Sequence, residues 1–148
     1  MTGMSGTGKS TVIQRLSELG YKAVDLDHPD WSEHDEEGDW IWREDRVRRL
    51  LADFDGDILF VSGCATNQVK FRPMFDHVIL LSVPAEVIVE RLRSRTNNPY
   101  GKRPEEVAEV LGYIKTVEPL LRRAADYEIV TTVPVEEVIS KILRSVGA

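Results

Sequence analysis

The stretch that decides the fold lies at the start of the chain and reads Gly3-Met4-Ser5-Gly6-Thr7-Gly8-Lys9-Ser10-Thr11. Its first part, up to Ser10, matches the pattern G-x-x-x-x-G-K-[ST] at every position. Glycines let the backbone wrap around a phosphate with its N–H groups pointing inward, and the lysine adds a positive charge. Apolar residues at helical spacing follow as far as Gly20, which is the setting that such a loop requires. The stretch therefore predicts a phosphate-binding loop.

The loop also predicts contacts to ATP and Mg²⁺. We expect Lys9 to reach the β- and γ-phosphates and the Ser10 hydroxyl to hold Mg²⁺. A helix that begins at about Gly8 would point its positive N-terminal end at the same phosphates. The other nucleotide contacts expected from the loop are Gly3, Ser5, Gly6, Thr7, Gly8 and Thr11.

Only Met1 and Thr2 precede the loop, although a loop of this kind normally follows a buried strand at the centre of a sheet. Two explanations stay open. The strand could lie upstream of residue 1, which we favour, or the chain could lack it and borrow one from a partner.

Composition and length describe an ordinary globular protein. The 148 residues are 42% hydrophobic and 30% charged, which predicts one domain with a proper core. The net charge of −6 argues against a general nucleic-acid binder, and no apolar run is long enough to span a bilayer. A single cysteine, Cys64, suits a reducing cytoplasm. We therefore expect a cytoplasmic monomer or homodimer without a nucleic-acid or membrane partner.

Strands and helices are predicted to alternate along the chain, which indicates a mostly parallel sheet with helices on both faces. Residues 28–40 are interpreted as a polar loop, and a helical pattern with a break at Pro119 opens at Pro104. Strands are expected at 21–27, 58–61, 78–83 and 127–131, and the other helices at 42–54, from Pro84 to about Arg95, and from near Pro134 onward.

Two acids end the first predicted strand on the ligand side of such a sheet. Asp25 and Asp27 are two residues apart, so both side chains should project to one side of the strand. We expect Asp25 to support Mg²⁺ and Asp27 to orient or deprotonate an acceptor. The alternative is a turn or helix-capping role for one of them.

Arginines and tryptophans are the remaining candidates. Arg91 and Arg95 share a helix face beside a loop, so they could neutralise phosphoryl charge from a lid, although arginines are common near helix ends. Three tryptophans could stack on a flat ligand, but a local core is the favoured interpretation. Cys64 is expected to be a buried, inert thiol. The tryptophans are Trp31, Trp40 and Trp42, and the weaker candidates for substrate contact are Asn67, Gln68 and Phe71.

With these residues in place, the chain resembles the P-loop small-molecule kinases of the nucleoside-monophosphate kinase and shikimate kinase class. The resemblance implies an α/β, three-layer P-loop NTPase fold with a small lid, formed by residues 1–148 as a single kinase domain. It places the substrate-binding segment at about 28–56 and the lid at about 95–104. The Asp-x-Asp motif of the family looks like Asp25-Leu26-Asp27.

The same resemblance assigns roles to further residues. The G-E-x-x-F-R motif is similar to Gly38–Arg43 and implies that Arg43 contacts substrate. The glycines that follow the third strand of shikimate kinases are matched only by Ser62-Gly63-Cys64, which makes Gly63 a candidate. The R-L-x-x-R lid motif implies Arg91 near the adenine or phosphates and Arg95 near the transferred phosphoryl. The loop 132–134, which ends at Pro134, would line the adenine.

The function implied is a Mg²⁺-dependent transfer of the γ-phosphoryl of ATP to a small acceptor. A nucleoside monophosphate is the first acceptor class, and a polyol or sugar-acid hydroxyl is the second. Val117 stands where shikimate kinases carry a substrate-binding arginine, which disfavours shikimate itself. The alternative is a nucleotide-binding switch or slow NTPase that acts through a partner protein, but the sequence has no Asn-Lys-x-Asp guanine motif and no hydrophobic strand that ends in Asp-Glu.

Overall fold

The computed structural model describes residues 1–96 and 98–148. Helices and strands alternate as the sequence predicts. The strands are β1 (Lys22–Asp25), β2 (Ser32–His34), β3 (Trp40–Trp42), β4 (Leu59–Ser62), β5 (Ile79–Ser82) and β6 (Tyr127–Val130). The α-helices are α1 (Lys9–Glu18), α2 (Glu44–Asp53), α3 (Ala85–Ser94), α4 (Pro104–Thr116), α5 (Glu118–Ala124) and α6 (Val135–Val146), and a 3₁₀ helix covers Gln68–Met74.

Two parallel strand pairs are joined by the first residues of the chain. β1 pairs with β4, and β5 pairs with β6. The Thr2 N–H donates to the Ile79 carbonyl at 2.9 Å, and the Thr2 carbonyl accepts from the Leu81 N–H at 2.8 Å. On the other side, the Met1 carbonyl accepts from the Gly63 N–H at 3.1 Å. Met1 and Thr2 therefore lie between β4 and β5, where a central strand is expected.

Helices cover both faces of this sheet, so the predicted α/β fold with three layers is confirmed. On one face, α1 and α6 pack over apolar side chains of β4, β5 and β6. Leu16 of α1 and Ile142 of α6 are fully buried there. On the other face, α3, α4 and α5 pack over Leu80, while α2 and the 3₁₀ helix pack over Val61. The alternation of Leu80 and Leu81 between the two faces follows from the period of a strand.

The interpretation of residues 28–40 as a loop is wrong in part, because β2 and β3 form an antiparallel hairpin. Its register pairs Ser32 with Trp42 and His34 with Trp40. The turn is held by Asp35, whose side chain accepts the N–H groups of Glu37 and Asp39 at 3.0 and 2.9 Å. The following helix accordingly begins at Glu44 rather than at Trp42.

The break expected at Pro119 is confirmed. α4 ends at Thr116, and α5 begins at Glu118 with Pro119 in its first turn, where the missing N–H costs nothing. The predicted lid lies between α3 and α4; one of its residues, Asn97, lies outside the described residues. Among the helices that are described, none is long and apolar enough to cross a membrane.

The packing around α1 predicts that alanine substitutions of two nearby leucines differ greatly in their effect on stability. Leu16 is 0% exposed and Leu19 is 45% exposed. Leu16→Ala should lower the free energy of unfolding by about 2–5 kcal/mol, because it removes buried surface and leaves a cavity. Leu19→Ala should change it by less than about 0.5 kcal/mol. Urea denaturation of both variants measures the difference, and equal losses would contradict the packing.

Candidate active site

The phosphate-binding loop is fixed against the end of β5. A Cβ on Gly3 would lie 2.4 Å from the Leu81 carbonyl oxygen, and its φ of 154° also favours glycine, so no other residue fits. The Thr7 hydroxyl is buried and donates to the Met4 carbonyl at 2.9 Å. The Lys9 Nζ donates to the carbonyls of Gly3 and Met4 at 2.6 and 3.0 Å. The lysine charge is thereby held inside the loop, at the first residue of α1.

Arg91 reaches the same loop from α3. Its guanidinium donates to the Gly6 carbonyl at 3.3 Å and to the Thr131 hydroxyl at 3.0 Å. Thr131 follows β6 and donates to the Thr7 carbonyl at 2.6 Å. The structure therefore brings Arg91 to the loop. Thr131 is a residue that the sequence analysis missed, and its place after a strand at the ligand side of the sheet is the signal that could have found it. Pro134 lies near it, at the start of α6.

A cluster of oxygens beside Lys9 fits the chemistry of Mg²⁺. The Ser10 hydroxyl donates to Asp25 Oδ2 at 3.3 Å. Ser62 pairs with Asp25 in the β1–β4 register, and its hydroxyl is buried without a hydrogen-bond partner in the described part of the chain. Mg²⁺ takes oxygen ligands and commonly uses one or two carboxylates together with substrate phosphates. Within residues 1–96 and 98–148 no three His, Cys, Asp or Glu side chains form a metal cage of their own.

Asp27 binds partners that differ from those of Asp25. β1 ends at Asp25, so the expectation that both carboxylates project to one side of a strand is wrong: the chain turns, and the Asp27 N–H donates to Asp25 Oδ1 at 3.0 Å. The Cys64 N–H donates to Asp27 Oδ1 and Oδ2 at 3.1 and 3.2 Å, and the Trp40 indole N–H donates to Oδ1 at 3.4 Å. Burial raises the pKa of Asp27, and the nearby Lys9 charge opposes that rise.

Gly63 makes room for this carboxylate. A Cβ there would lie 2.8 Å from Asp27 Oδ1 and 2.9 Å from Trp42 Nε1, both closer than real Cβ contacts allow. Burial raises the pKa of the neighbouring Cys64 thiol, but the residue is half-buried rather than fully buried as the sequence predicts. Gly63 thus serves the site by its lack of a side chain.

The other predicted site residues are engaged elsewhere. Arg43 donates to Glu33 Oε2 at 2.6 Å. Arg95 donates to the Tyr100 carbonyl at 2.6 Å, inside the segment predicted as the lid. The Asn67 amide binds the Trp42 backbone at both ends: the Trp42 N–H donates to Asn67 Oδ1 at 2.9 Å, and Asn67 Nδ2 donates to the Trp42 carbonyl at 3.0 Å. These three residues are not brought to the loop in this structure.

The tryptophans divide between the core and the site. Trp42 is 3% exposed and packs with Leu26, Val47 and Phe71, as the local-core interpretation predicts, and Trp31 packs against the same cluster. Trp40 contacts Asp27 instead. This contact could not be predicted from the sequence, since a separation of 13 positions matches no local period.

A known domain family covers most of the chain. The family model described as AAA domain matches residues 1–112. The chain belongs to this family. Its P-loop, with Lys9 held at the start of α1, is the part that binds phosphate in such domains.

Relatives of this AAA-domain protein include kinases. The chain is 35% identical over 146 residues to a protein named putative adenylate kinase from Archaeoglobus fulgidus, covering 96% of this chain and 78% of the relative. It is 27% identical over 166 residues to an adenylate kinase isoenzyme 6 homolog from Caenorhabditis elegans, covering 99% and 87%. The chain is thus a P-loop small-molecule kinase.

A solved structure supports the same fold. The shikimate kinase from Acinetobacter baumannii, determined in complex with shikimate, aligns with a TM-score of 0.67 and 24% identity, covering 98% of this chain and 89% of that chain. The order of the parallel strands on the two sides of Thr2 is therefore that of a known P-loop kinase fold.

The close approach at Gly63 predicts that two glycine substitutions have opposite effects. Gly63→Ala should lower the free energy of unfolding by about 1–3 kcal/mol, because Asp27 and Trp42 must move. Gly112→Ala, in α4 with no atom within 4 Å of the added Cβ, should raise it by about 0.5–1 kcal/mol. Denaturant unfolding measures both variants. An unchanged free energy of unfolding in Gly63→Ala would show that the space around Gly63 can accept a side chain.

The burial of Asp27 predicts a pH-dependent cost to stability. The folded pKa of Asp27 lies above the unfolded value of 3.8, so the folded state binds the proton more tightly. The contribution of Asp27 to the free energy of unfolding therefore falls as the pH rises from 3.8 through the folded pKa. Asp27→Asn should therefore raise the melting temperature at neutral pH, and the gain should shrink as the pH falls towards 3.8. Asp55→Asn on the exposed surface is the control. A gain that does not depend on pH would contradict the burial argument.

Proposed function

We propose that this kinase transfers the γ-phosphoryl group of ATP to a nucleoside monophosphate, with AMP as the first acceptor to test. The observation that carries the proposal is the meeting of Lys9, the Ser10–Asp25 pair and Asp27 at one end of the sheet. The choice of acceptor is supported by the two relatives named as adenylate kinases, one of which shares 35% of its aligned residues with this chain.

On the donor side, the loop would hold the phosphates of ATP. Lys9 would exchange its bonds to the Gly3 and Met4 carbonyls for the β- and γ-phosphates, and Arg91 lies against the loop at Gly6. The adenine would lie against the loop that ends at Pro134. The remaining contacts proposed for the nucleotide come from the loop itself and are Gly3, Ser5, Gly6, Thr7, Gly8, Ser10 and Thr11.

Ser10 and Asp25 would hold Mg²⁺, which neutralises phosphate charge when it is bound. The buried Ser62 hydroxyl next to Asp25 is a further oxygen at this position. The proposal needs no other metal ligand from the chain, because the phosphates supply the rest.

On the acceptor side, Asp27, Gly63 and Arg43 would meet the substrate. Asp27 would orient the attacking oxygen in line with the γ-phosphorus, and the bond from that phosphorus to the leaving ADP oxygen would break as the new bond forms. Arg43 would leave Glu33 and bind the phosphate of the acceptor, since an arginine fork suits phosphate. Asn67 is left out of the acceptor contacts because the Trp42 backbone already uses both ends of its amide.

Closure of the lid would complete the site. Arg95 now donates to backbone carbonyls of Asn98 and Tyr100 within the lid segment. If the lid moves over the donor, the same guanidinium could bind the transferred phosphoryl, where charge develops in the transition state.

A hydroxyl kinase is the second candidate, and Asp27 is the observation that favours it. A half-buried carboxylate repels a phosphate acceptor but accepts the proton of a hydroxyl. The neighbouring cations Arg43 and Arg46 are already bound, to Glu33 and to the Asp30 carbonyl at 2.8 Å. An acceptor without phosphate would leave those contacts in place.

ADP release from Mg-ATP decides between these functions. We expect AMP or another nucleoside monophosphate to stimulate ADP release, and Lys9→Ala to abolish the stimulation, lowering it by about 100-fold or more because phosphate charge loses its partner. Lys141→Ala, on the outer surface of α6, is the control and should keep full activity.

The acceptor panel also contains shikimate, sugar acids and polyols. Stimulation by one of these, with none by nucleoside monophosphates, would overturn the first proposal and support the hydroxyl kinase. Tight ATP binding with no stimulation across the whole panel would contradict both acceptor classes.

A further inference from the structure

The two oxygens of Asp27 have different surroundings. Oδ1 accepts two hydrogen bonds, from the Cys64 N–H at 3.1 Å and the Trp40 indole N–H at 3.4 Å. Oδ2 accepts one, from the Cys64 N–H at 3.2 Å. A carboxylate oxygen offers about two lone-pair positions, so Oδ1 is saturated and Oδ2 keeps a free position. The oxygen that is free to meet an acceptor is Oδ2.

The indole that saturates Oδ1 is held from two directions. The Trp40 carbonyl accepts the Thr66 N–H at 3.1 Å, which ties β3 to the loop after β4. Its ring meets the His34 ring edge-on, with 4.9 Å between centroids, across the hairpin. Trp40 is therefore fixed both along its backbone and at its ring, and it can fix Asp27 in turn.

We infer that Trp40 is a positioning residue, whose indole N–H binds Asp27 Oδ1 and so turns Oδ2 towards the acceptor. This inference rests on the proposed function of Asp27. Because Trp40 belongs to the β2–β3 hairpin, the same contact makes the orientation of the carboxylate depend on where that hairpin lies. A hairpin that is displaced would leave Asp27 held by the Cys64 N–H alone.

A purely structural role for Trp40 is the alternative, and the indole proton distinguishes the two. The chain has three tryptophans, so its ¹H–¹⁵N spectrum contains three indole signals. Trp40→Phe and Trp31→Phe each remove one signal and thereby assign it. Trp31→Phe is the matched control, because Trp31 packs beside the same hairpin without a contact to Asp27 among the described hydrogen bonds.

At one fixed pH, Asp27→Asn should shift the Trp40 indole signal, because an amide replaces the charged group that accepts its hydrogen bond. The Trp31 signal should stay in place in the same variant. A Trp40 signal that is unchanged in Asp27→Asn would overturn the inference whatever the substrate of the enzyme is.

The kinetic arm uses the acceptor that the ADP-release assay identifies. Trp40→Phe should lower kcat about tenfold, because a hydrogen bond to a charged group is lost, with the KM for ATP unchanged. A wild-type kcat in Trp40→Phe would contradict the role. If no acceptor is found, the proposed function fails while the spectrum still decides whether Trp40 binds Asp27.

Discussion

The backbone of Thr2 is the contact on which the rest of the structure depends. β1 and β4 form one pair, β5 and β6 form another, and Thr2 together with Met1 supplies the hydrogen bonds that join them. The next residue, Gly3, passes so close to the Leu81 carbonyl that a side chain is excluded. The phosphate-binding loop therefore starts from a fixed point at the carboxyl ends of β4 and β5. Parallel sheets bind ligands at this edge because loops and helix N-termini meet there.

The end of β1 separates two carboxylates that are only two residues apart. Asp25 is the last residue of the strand, so it shares a face with Ser62 and meets Ser10. Asp27 lies past the strand, in a turn held by the Asp25 carboxylate, and meets the Cys64 N–H instead. Strand periodicity predicts that the two side chains point in one shared direction. The turn instead gives each side chain its own contacts. In the proposed function, that difference would let Asp25 serve a metal and Asp27 serve an acceptor.

The sequence predicts the parts of this fold that carry a long period or a strict motif. α1, α3 and α6 follow from apolar spacing, and the loop follows from its glycines and Lys9. The β2–β3 hairpin could not be found in this way, because each strand has three residues and neither shows a buried–exposed alternation. Its position depends on distant contacts, such as the Asn67 amide on the Trp42 backbone. The contact from Trp40 to Asp27 could not be predicted from the sequence for the same reason, because Trp40 belongs to this hairpin.

Costly polar burial is concentrated at the proposed site. The Ser62 hydroxyl and the Trp42 indole N–H are buried without partners within the described residues, and the Asp27 carboxylate beside them is half-buried. Glu118 Oε2, in α5, is the other such atom. An unpaired buried polar group costs about 1–3 kcal/mol, so a chain selected for stability alone would replace these side chains. The apolar packing on both faces, from Leu16 to Leu80, offsets that cost. Polar groups buried at such a cost are typical of functional sites. Three of those named above, Ser62, Trp42 and Asp27, adjoin the ends of β1 and β4.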